Sequence, residues 1–392
     1  MKVLHVIPSL SPKHGGPSFA VDFITRGLQR AGVAVDIATT DDDGPGFRLN
    51  VLPGKRIELE GRGIFYFRKQ TEFYKVSLPF SLWAARHLVD YDVISVHALF
   101  CYTSTSAAYQ ARLAGIPYII IPHGILNRWG IENRHPLLKK LSLRLIEKPL
   151  LRDAAAMYYT SRAEQREAEQ TGASAPAAVI PHGINLEKFQ NLPGREVFIN
   201  RFPQATGRTL VLFLSRLDVK KGLDLLLPAF AVLKRKHPKA MLVIAGDGRK
   251  DYVAGLHKQA AQLGVGQEVL WVGFLDGVGK LSAFAAASMF VLPSYSENFG
   301  IALVEAMATG LPCVTTDGVA VSEDILEHNA GIVVKADVKL LSGAMNRLLD
   351  DAALRARLSA NAKKLAKERF SLDAMGTALR RLYEDILSRK KD

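Results

Sequence analysis

The 392-residue sequence predicts an α/β protein made of two doubly wound parallel sheets, and three observations carry that expectation. Short apolar runs alternate with longer amphipathic ones, the strand, helix, strand pattern of a parallel sheet covered on both faces. The alternation pauses over 190–208, a linker-like stretch with two prolines and little periodicity, and then resumes. The length also exceeds what one ordinary core supports, so two domains are expected. The boundary falls near 186–208, which gives domains at 1–190 and 191–372 and a terminal helix at 373–392.

The first half reads in order. Lys2 to Ile7 is a strand, followed by Gly15 and Gly16 and a helix from Ser18 to Arg30. A glycine pair between first strand and first helix sits where such sheets receive ligands, and it is also an ordinary turn. Val33 to Thr39 is a second strand. Asp41, Asp42 and Asp43 follow; Asp-x-Asp can hold a metal, but it stands in a polar Gly/Pro loop with no other metal ligands beside it, so a solvated turn is expected. Residues 44–75 read as irregular strands and loops. Leu78 to Leu88 is helical, Val93 to Val96 a strand, Thr103 to Ala114 helical and Pro117 to Ile121 a buried strand. His97 and His123 fall just past strand carboxyl ends, where ligands bind. A histidine there is either packed or functional; the Pro122-His123-Gly124 setting favours function for His123, and His97 stays open. Ala155 to Thr160 is a strand and Arg162 to Gln170 a helix.

The second half repeats the scheme. Thr209 to Leu214 is a strand leading to Ser215-Arg216-Leu217, with Lys221 and Gly222 in the same loop. A guanidinium fork and a flexible ammonium at a strand end suit an anion. Met241 to Ala245 is a strand ending in Gly246-Asp247-Gly248, and Val269 to Val272 one ending in Gly273-Phe274-Leu275-Asp276. Asp337 onward makes two helices, and Leu372 to Leu387 a last one.

The centre of the chain is Pro293 to Pro312. Met289 to Leu292 before it and Pro312 to Thr315 around its end read as strands. Gly300 to Thr309 reads as a helix stopped by Gly310. Glu297 and Glu305 lie eight residues apart, about 80° apart on a helix, so they share no stripe. Glu297 belongs to the loop and Glu305 lies one to two turns in. The unbonded N–H groups at the helix start hold anions such as phosphate, and Gly300 lets a ligand approach. A carboxylate on either side of that anion accepts hydrogen bonds from hydroxyls. The order hydroxyls, anion, hydroxyls is that of a sugar, a diphosphate and a ribose.

Composition narrows the classes. Hydrophobic residues make up 48% and charged residues 23%, as in a globular protein. No apolar run approaches the roughly eighteen residues of a membrane span. The apolar start is too short for a signal peptide, Cys101 and Cys313 read as reduced and packed, and a cytoplasmic location is expected. The net charge of +13 suits anionic partners, but zinc-finger spacing and single-strand-binding aromatic patterns are lacking, so no nucleic acid is expected. Residues 128–152 interleave Arg128, Arg134, Lys139, Lys140, Arg144, Lys148 and Arg152 with leucines. Such a stretch either lies on an anionic membrane surface or is a surface helix with its leucines in the core.

Ser296-Glu297-Asn298-Phe299-Gly300 with Glu305-Ala306-Met307-Ala308 resembles the signature of retaining GT-B glycosyltransferases, particularly family 4. Arg216-Leu217…Lys221-Gly222 is similar to that family's diphosphate-binding pair, and Pro122-His123-Gly124 to a motif whose histidine approaches the donor sugar. The resemblance implies two Rossmann-like domains facing a cleft, with Val179 to Phe189 crossing into the second and the last helix crossing back to the first. It implies sugar transfer from a UDP- or GDP-linked donor to a hydroxyl of a glycan or lipid-linked glycan, in bacterial surface-polysaccharide synthesis. Arg216, Lys221 and the helix start at Asn298, Phe299, Gly300 and Ile301 would stabilise the leaving diphosphate, Glu297 orient the sugar, Glu305 hold the ribose and His123 position the sugar. Gly15 and Gly16 would face the diphosphate, while Gly246, Gly248, Phe274 and Leu275 line the base pocket. No metal or other cofactor is expected, since protein cations take the metal's place. A sugar-nucleotide epimerase or hydrolase of the same fold, a phosphorylase and a non-catalytic binding subunit are the alternatives.

Overall fold

A computed structural model describes residues 1–126 and 136–390. The chain forms two compact units, Met1–Gly183 with Leu372–Asp392, and Ile184–Ser371.

The first unit runs β1 (Lys2–Ser9), α1 (Gly16–Arg30), β2 (Ala34–Thr40), β3 (Arg56–Leu59), β4 (Arg62–Phe67), α2 (Leu78–His87), β5 (Val93–His97), α3 (Tyr102–Leu113) and β6 (Tyr118–Ile121). It continues with α4 (Pro136–Ser142), a π turn over Leu143–Glu147, α5 (Lys148–Asp153), β7 (Ala156–Tyr159), α6 (Arg162–Glu169) and β8 (Ala177–Val179). Among the described residues its sheet has the order β3-β4-β2-β1-β5-β6-β7-β8. Every pairing is parallel except β3 with β4. The chain steps to one side of β1 for β2 and to the other for β5. Loops after β1 and β5 therefore diverge there and leave the crevice in which open α/β sheets bind ligands.

The β3–β4 hairpin was hidden in the 44–75 stretch. Its two-residue turn is Glu60-Gly61, both with positive φ (51° and 76°), as a type I′ turn requires. The expected solvated turn at Asp41-Asp42-Asp43 is instead a buried ion-pair site. Asp42 is fully buried, accepts from Lys69 Nζ at 2.7 Å and from Lys75 Nζ, and lies 2.9 Å from His14 Nε2. Burial pushes the Asp42 carboxyl up, but Lys69 and Lys75 outweigh it and hold it at about 2.

The second unit runs α7 (Arg195–Arg201), β9 (Thr209–Leu214), α8 (Leu223–Lys236), β10 (Ala240–Ala245), α9 (Lys250–Gln262), β11 (Val269–Gly273), α10 (Gly277–Ala286) and β12 (Met289–Leu292). Then come α11 (Ile301–Thr309), β13 (Cys313–Thr316), α12 (Ser322–Glu327), β14 (Ile332–Val334), α13 (Val338–Asp350) and α14 (Ala352–Arg369). The expected linker at 190–208 is folded: α7 sends Phe198 into the core of this unit, so too few periodic residues, not disorder, made it look structureless. The sheet order is β11-β10-β9-β12-β13-β14, the six-stranded dinucleotide-fold order with its switch point between β9 and β12. β10 and β12 are buried along their whole length, which explains their unbroken apolar runs. Truncating one such side chain, Leu242→Ala, costs about 2–5 kcal/mol.

The last helix, α15 (Leu372–Arg389), packs on α1 within the first unit. A Cβ on Gly376 would lie 1.9 Å from the Gly27 carbonyl oxygen, so the two backbones touch and neither position admits a side chain. Tyr383 Oη lies 2.9 Å from Ser95 Oγ on β5, fixing the helix to the sheet. Cys101 and Cys313 are free and buried.

Candidate functional site

The switch point decides which loops meet in the second unit. β9 and β12 are neighbours, so the loop carrying Arg216 and Lys221 runs beside the loop carrying Glu297. Tyr295 N donates to Lys220 O at 2.8 Å. Gly222, at φ 70°, presses on Pro293, whose carbonyl oxygen would stand 2.0 Å from any Cβ there. Asp218 caps the short turn ahead of it by accepting from Lys220 N at 3.0 Å. Lys221 is thereby carried inward while Arg216 stays exposed.

Lys221 Nζ pairs with the Glu297 carboxylate, the two side chains being 11% and 22% exposed. Burial, and then the Arg216 guanidinium, draw the Lys221 ammonium down to about 8; the pairing with Glu297 works against both. Glu297 is held from behind: its N–H donates to Gly318 O at 3.0 Å and its carbonyl accepts from Ala320 N at 2.9 Å.

Gly300, in the left-handed region at φ 86°, turns the chain into α11, and among the described residues no side chain caps that helix start. The first turn therefore keeps N–H groups and the positive end of its dipole for a ligand. Phe299 turns its ring into the core, 5.7 Å from Phe370 and edge-on, so only its backbone serves a ligand. Asn298 is exposed and Ile301 half-buried. Glu305 lies one turn in and accepts from Lys280 Nζ at 2.7 Å. Lys280, on α10, was not singled out by the sequence, because nothing local links it to Glu305.

Gly246 and Gly248 have a packing reason. A Cβ on either would meet the carbonyl oxygen of Ser215 at 1.8 Å or of Leu217 at 2.2 Å. Beside them opens a cavity of about 390 Å³ lined by Leu217, Gly246, Gly248, His257, Trp271 and Gly273. The expected base-pocket residues divide: Leu275 is buried in the core and Phe274 is exposed, so Leu275 offers only backbone.

The first unit holds a second group of polar side chains past its strand ends. Among the described residues, no atom lies near the place of a Cβ on Gly15 (φ 74°) or Gly16 at the start of α1, and no side chain caps that helix start. His123 sits at φ 54°, and Ala98 and Phe100 also take positive φ, a clustering of strain that is common at functional sites. The His123 turn is latched by Glu164, which accepts from Gly124 N at 2.6 Å and from Thr160 N at 2.7 Å. His123 Nε2 lies 2.9 Å from His97 Nδ1, and His97 Nε2 lies 2.8 Å from His5 Nδ1. His182 stacks beside His123 with ring centroids 6.3 Å apart. Burial lowers His5 and His123 to about 3 and His182 to about 4, and lowers His97 well below the ordinary value. His182 has its own sequence signal, the Pro-His-Gly-Ile at 181–184 that repeats 122–125.

Among the described residues, no group of three or more His, Cys, Asp or Glu is arranged to hold a metal ion, and no helix is long and apolar enough to cross a membrane. Of the basic stretch at 128–152, residues 128–135 lie outside the described residues. In the rest, Leu143, Leu150 and Leu151 are buried while Leu137, Leu141 and Leu145 face outward, so the leucines are divided between core and surface.

Residues 195–365 match the family of glycosyl transferases group 1, and residues 15–183 match the glycosyl transferase 4-like domain. The alpha-D-kanosaminyltransferase of Streptomyces kanamyceticus is 30% identical over 352 residues, covering 86% of this chain and 88% of that protein. The chain belongs to the glycosyl transferases of group 1.

This glycosyltransferase is also 30% identical over 318 residues to the phosphatidyl-myo-inositol mannosyltransferase of Mycobacterium leprae, covering 71% of this chain and 81% of that one. Its fold is GT-B. Anabaena Alr3699/HepE, solved in complex with UDP, superimposes with a TM-score of 0.77 at 21% identity over 98% of this chain and 100% of that one. Sucrose-phosphate synthase from Thermosynechococcus elongatus superimposes with a TM-score of 0.75 at 20% identity over 99% of this chain and 100% of that one.

Proposed function

We propose that this glycosyltransferase moves a sugar from a UDP- or GDP-linked donor to a hydroxyl of a glycan or lipid-linked glycan, with retention of anomeric configuration. The observation that carries the reading is the convergence of Arg216, Lys221 and the uncapped start of α11 after β9 and β12. The anomeric carbon bonds to the acceptor oxygen as its bond to the phosphate oxygen breaks, and the departing diphosphate gains negative charge. Preorganised cations and N–H groups stabilise that charge most where water is excluded. The acceptor proton passes to the departing phosphate oxygen, which needs no separate general base. Glu297 orients the sugar hydroxyls, Glu305 the ribose hydroxyls, and His123 a further sugar hydroxyl. The cavity beside Gly246 and Gly248 suits the base. Relatives named as kanosaminyl- and mannosyltransferases, and a fold relative solved with UDP, support a nucleotide-sugar donor.

The test is a thermal-shift screen of UDP, GDP and their sugars, since a ligand of the folded state raises its melting point, followed by product analysis. Free sugar or an epimerised nucleotide without acceptor product would favour the epimerase or hydrolase reading. Surface-polysaccharide synthesis at the inner face of a plasma membrane fits a lipid-linked acceptor. The support for a membrane is the outward set of Leu137, Leu141 and Leu145, next to Lys139, Lys140 and Arg144, which suits an anionic surface. Sedimentation with phosphatidylglycerol vesicles checks it. The parent should pellet and a Leu137→Ser/Leu141→Ser/Leu145→Ser variant should not; equal recovery of both removes the membrane from the proposal.

A further inference from the structure

The histidine chain in the first unit has a property that no single histidine has. His5, His97 and His123 are joined ring nitrogen to ring nitrogen, His5 Nδ1 to His97 Nε2 at 2.8 Å and His97 Nδ1 to His123 Nε2 at 2.9 Å. A neutral imidazole has one N–H and one bare nitrogen. Each link needs one donor and one acceptor, so once His97 chooses a direction, both neighbours must follow. Only two neutral arrangements exist. In one, every ring carries its proton on Nε2 and the Nδ1 of His123 is bare. In the other, every ring carries it on Nδ1, and His123 presents an N–H at the edge that His97 does not touch.

The far end of the chain decides between them. His5 is fully buried inside β1, and its Nε2 has no hydrogen-bond partner among the described residues. In the first arrangement that atom is a stranded N–H; in the second it is a bare lone pair. Orphaned buried N–H groups are rarer in proteins than under-used acceptors, because a donor has one bond to lose and loses it whole. A protonated chain is disfavoured by the same burial. Among the described residues, neither His182 nor Glu164 beside His123 reverses the choice. His182 stacks against its face, and Glu164 spends its oxygens on Gly124 N, Thr160 N and Thr160 Oγ1.

We infer that His5 and His97 are positioning residues that lock His123 in the Nδ1–H tautomer, so that the edge turned away from His97 donates a hydrogen bond to a hydroxyl of the donor sugar. This rests on the proposed sugar-positioning role of His123. It adds that the role is that of a donor, not of a base, and that it is set from the interior of the sheet. The anchoring is consistent with the local geometry. Ser104 Oγ donates to the His97 carbonyl at 2.7 Å, and the Glu164 latch holds the His123 backbone at positive φ. Ring and main chain of His123 are thus each fixed by a separate partner.

Long-range proton–nitrogen correlation spectra of the full-length protein labelled with nitrogen-15 in histidine read each tautomer directly, near neutral pH and without any substrate. The expected result is a protonated Nδ1 and bare Nε2 for His5, His97 and His123. A His123 protonated on Nε2, or on both nitrogens, overturns the inference. His97→Gln keeps an amide N–H for His123 Nε2 and should retain the signature, whereas His97→Leu should release it. With UDP-glucose and GDP-mannose as donor probes, His97→Leu should lower kcat about tenfold, the loss of one good hydrogen bond, and leave UDP or GDP affinity within about twofold. His97→Gln should stay within about threefold of the parent. Should His97→Leu fail to fold, the spectrum of the parent still decides the tautomer. If the parent has the expected tautomers but His123→Ala turns over normally, the assignment of His123 to the sugar fails instead.

Discussion

Breaking the Lys221–Glu297 pair separates its structural role from its proposed catalytic one. The two side chains are 11% and 22% exposed, between the surface case, worth about 0–1 kcal/mol, and the buried case, where removing one partner costs about 3–5 kcal/mol. Lys221→Met strands the Glu297 carboxylate and should therefore cost about 2 kcal/mol. At about 2–4 °C per kcal/mol for a domain of this size, the second unit should melt about 4–8 °C lower. Glu297→Gln should cost less, because a buried lysine drawn toward 8 can shed its proton. The double variant should recover most of the loss, since a Met and a Gln leave no unpaired charge. Activity should not recover with it. Losing a donor to the departing diphosphate costs about 10²–10³ in kcat, and Lys221→Met and the double variant should be equally poor. Denaturant titration of the four proteins gives the coupling, and calorimetry with UDP and GDP gives the affinities. Additive stability changes, together with unaltered diphosphate affinity in Lys221→Met, would refute the reasoning on both counts.

Three further outcomes are expected. Gly222→Ala must place a Cβ at φ 70° against the Pro293 carbonyl, so the left-handed penalty of about 1–2 kcal/mol and the clash together should lower stability by about 3 kcal/mol in denaturant titration. Glu305→Gln should weaken UDP more than 2′-deoxy-UDP in competition binding, and equal losses for both would remove Glu305 from the ribose. Acid should weaken the first unit early. His5, His123 and His182 have folded pKa values depressed from 6.5 to about 3, 3 and 4. Their contribution is complete above about 6.5 and is lost as pH falls, since the unfolded chain then binds the protons that the folded one refuses. The slope approaches about 1.4 kcal/mol per pH unit for each histidine. Hydrogen exchange of β1, β5 and β6 between pH 7 and pH 5 should show it (~two units, spanning the ordinary histidine value and staying above the carboxylates), and a flat profile would count against neutral buried histidines.

Much of the fold was legible because its cause is local. Apolar runs such as Met289–Leu292 and Met241–Ala245 specify buried parallel strands without reference to anything distant. Gly300 and Gly310 mark the ends of α11 because each takes a backbone conformation that few other residues adopt. The Glu60-Gly61 hairpin is hard to read because its first strand, Arg56–Leu59, is short, carries Arg56 and Glu58, and is exposed except at Ile57. The 190–208 stretch misled because one buried phenylalanine in a seven-residue helix gives no readable period.

The site divided along the same line. Sequence alone placed Arg216, Lys221, Glu297, Gly300 and Glu305 at strand ends and a helix start, since motif, strand and cap all lie within a few residues of one another. Which groups touch was decided only by the folded chain. Lys221 meets Glu297, Lys280 meets Glu305, and three histidines separated by 92 and 26 positions form one hydrogen-bonded row. Those partners come together because a parallel sheet sets strands, and the loops and helices that follow them, side by side although far apart in sequence, a juxtaposition fixed by strand order and not by any residue's immediate neighbours.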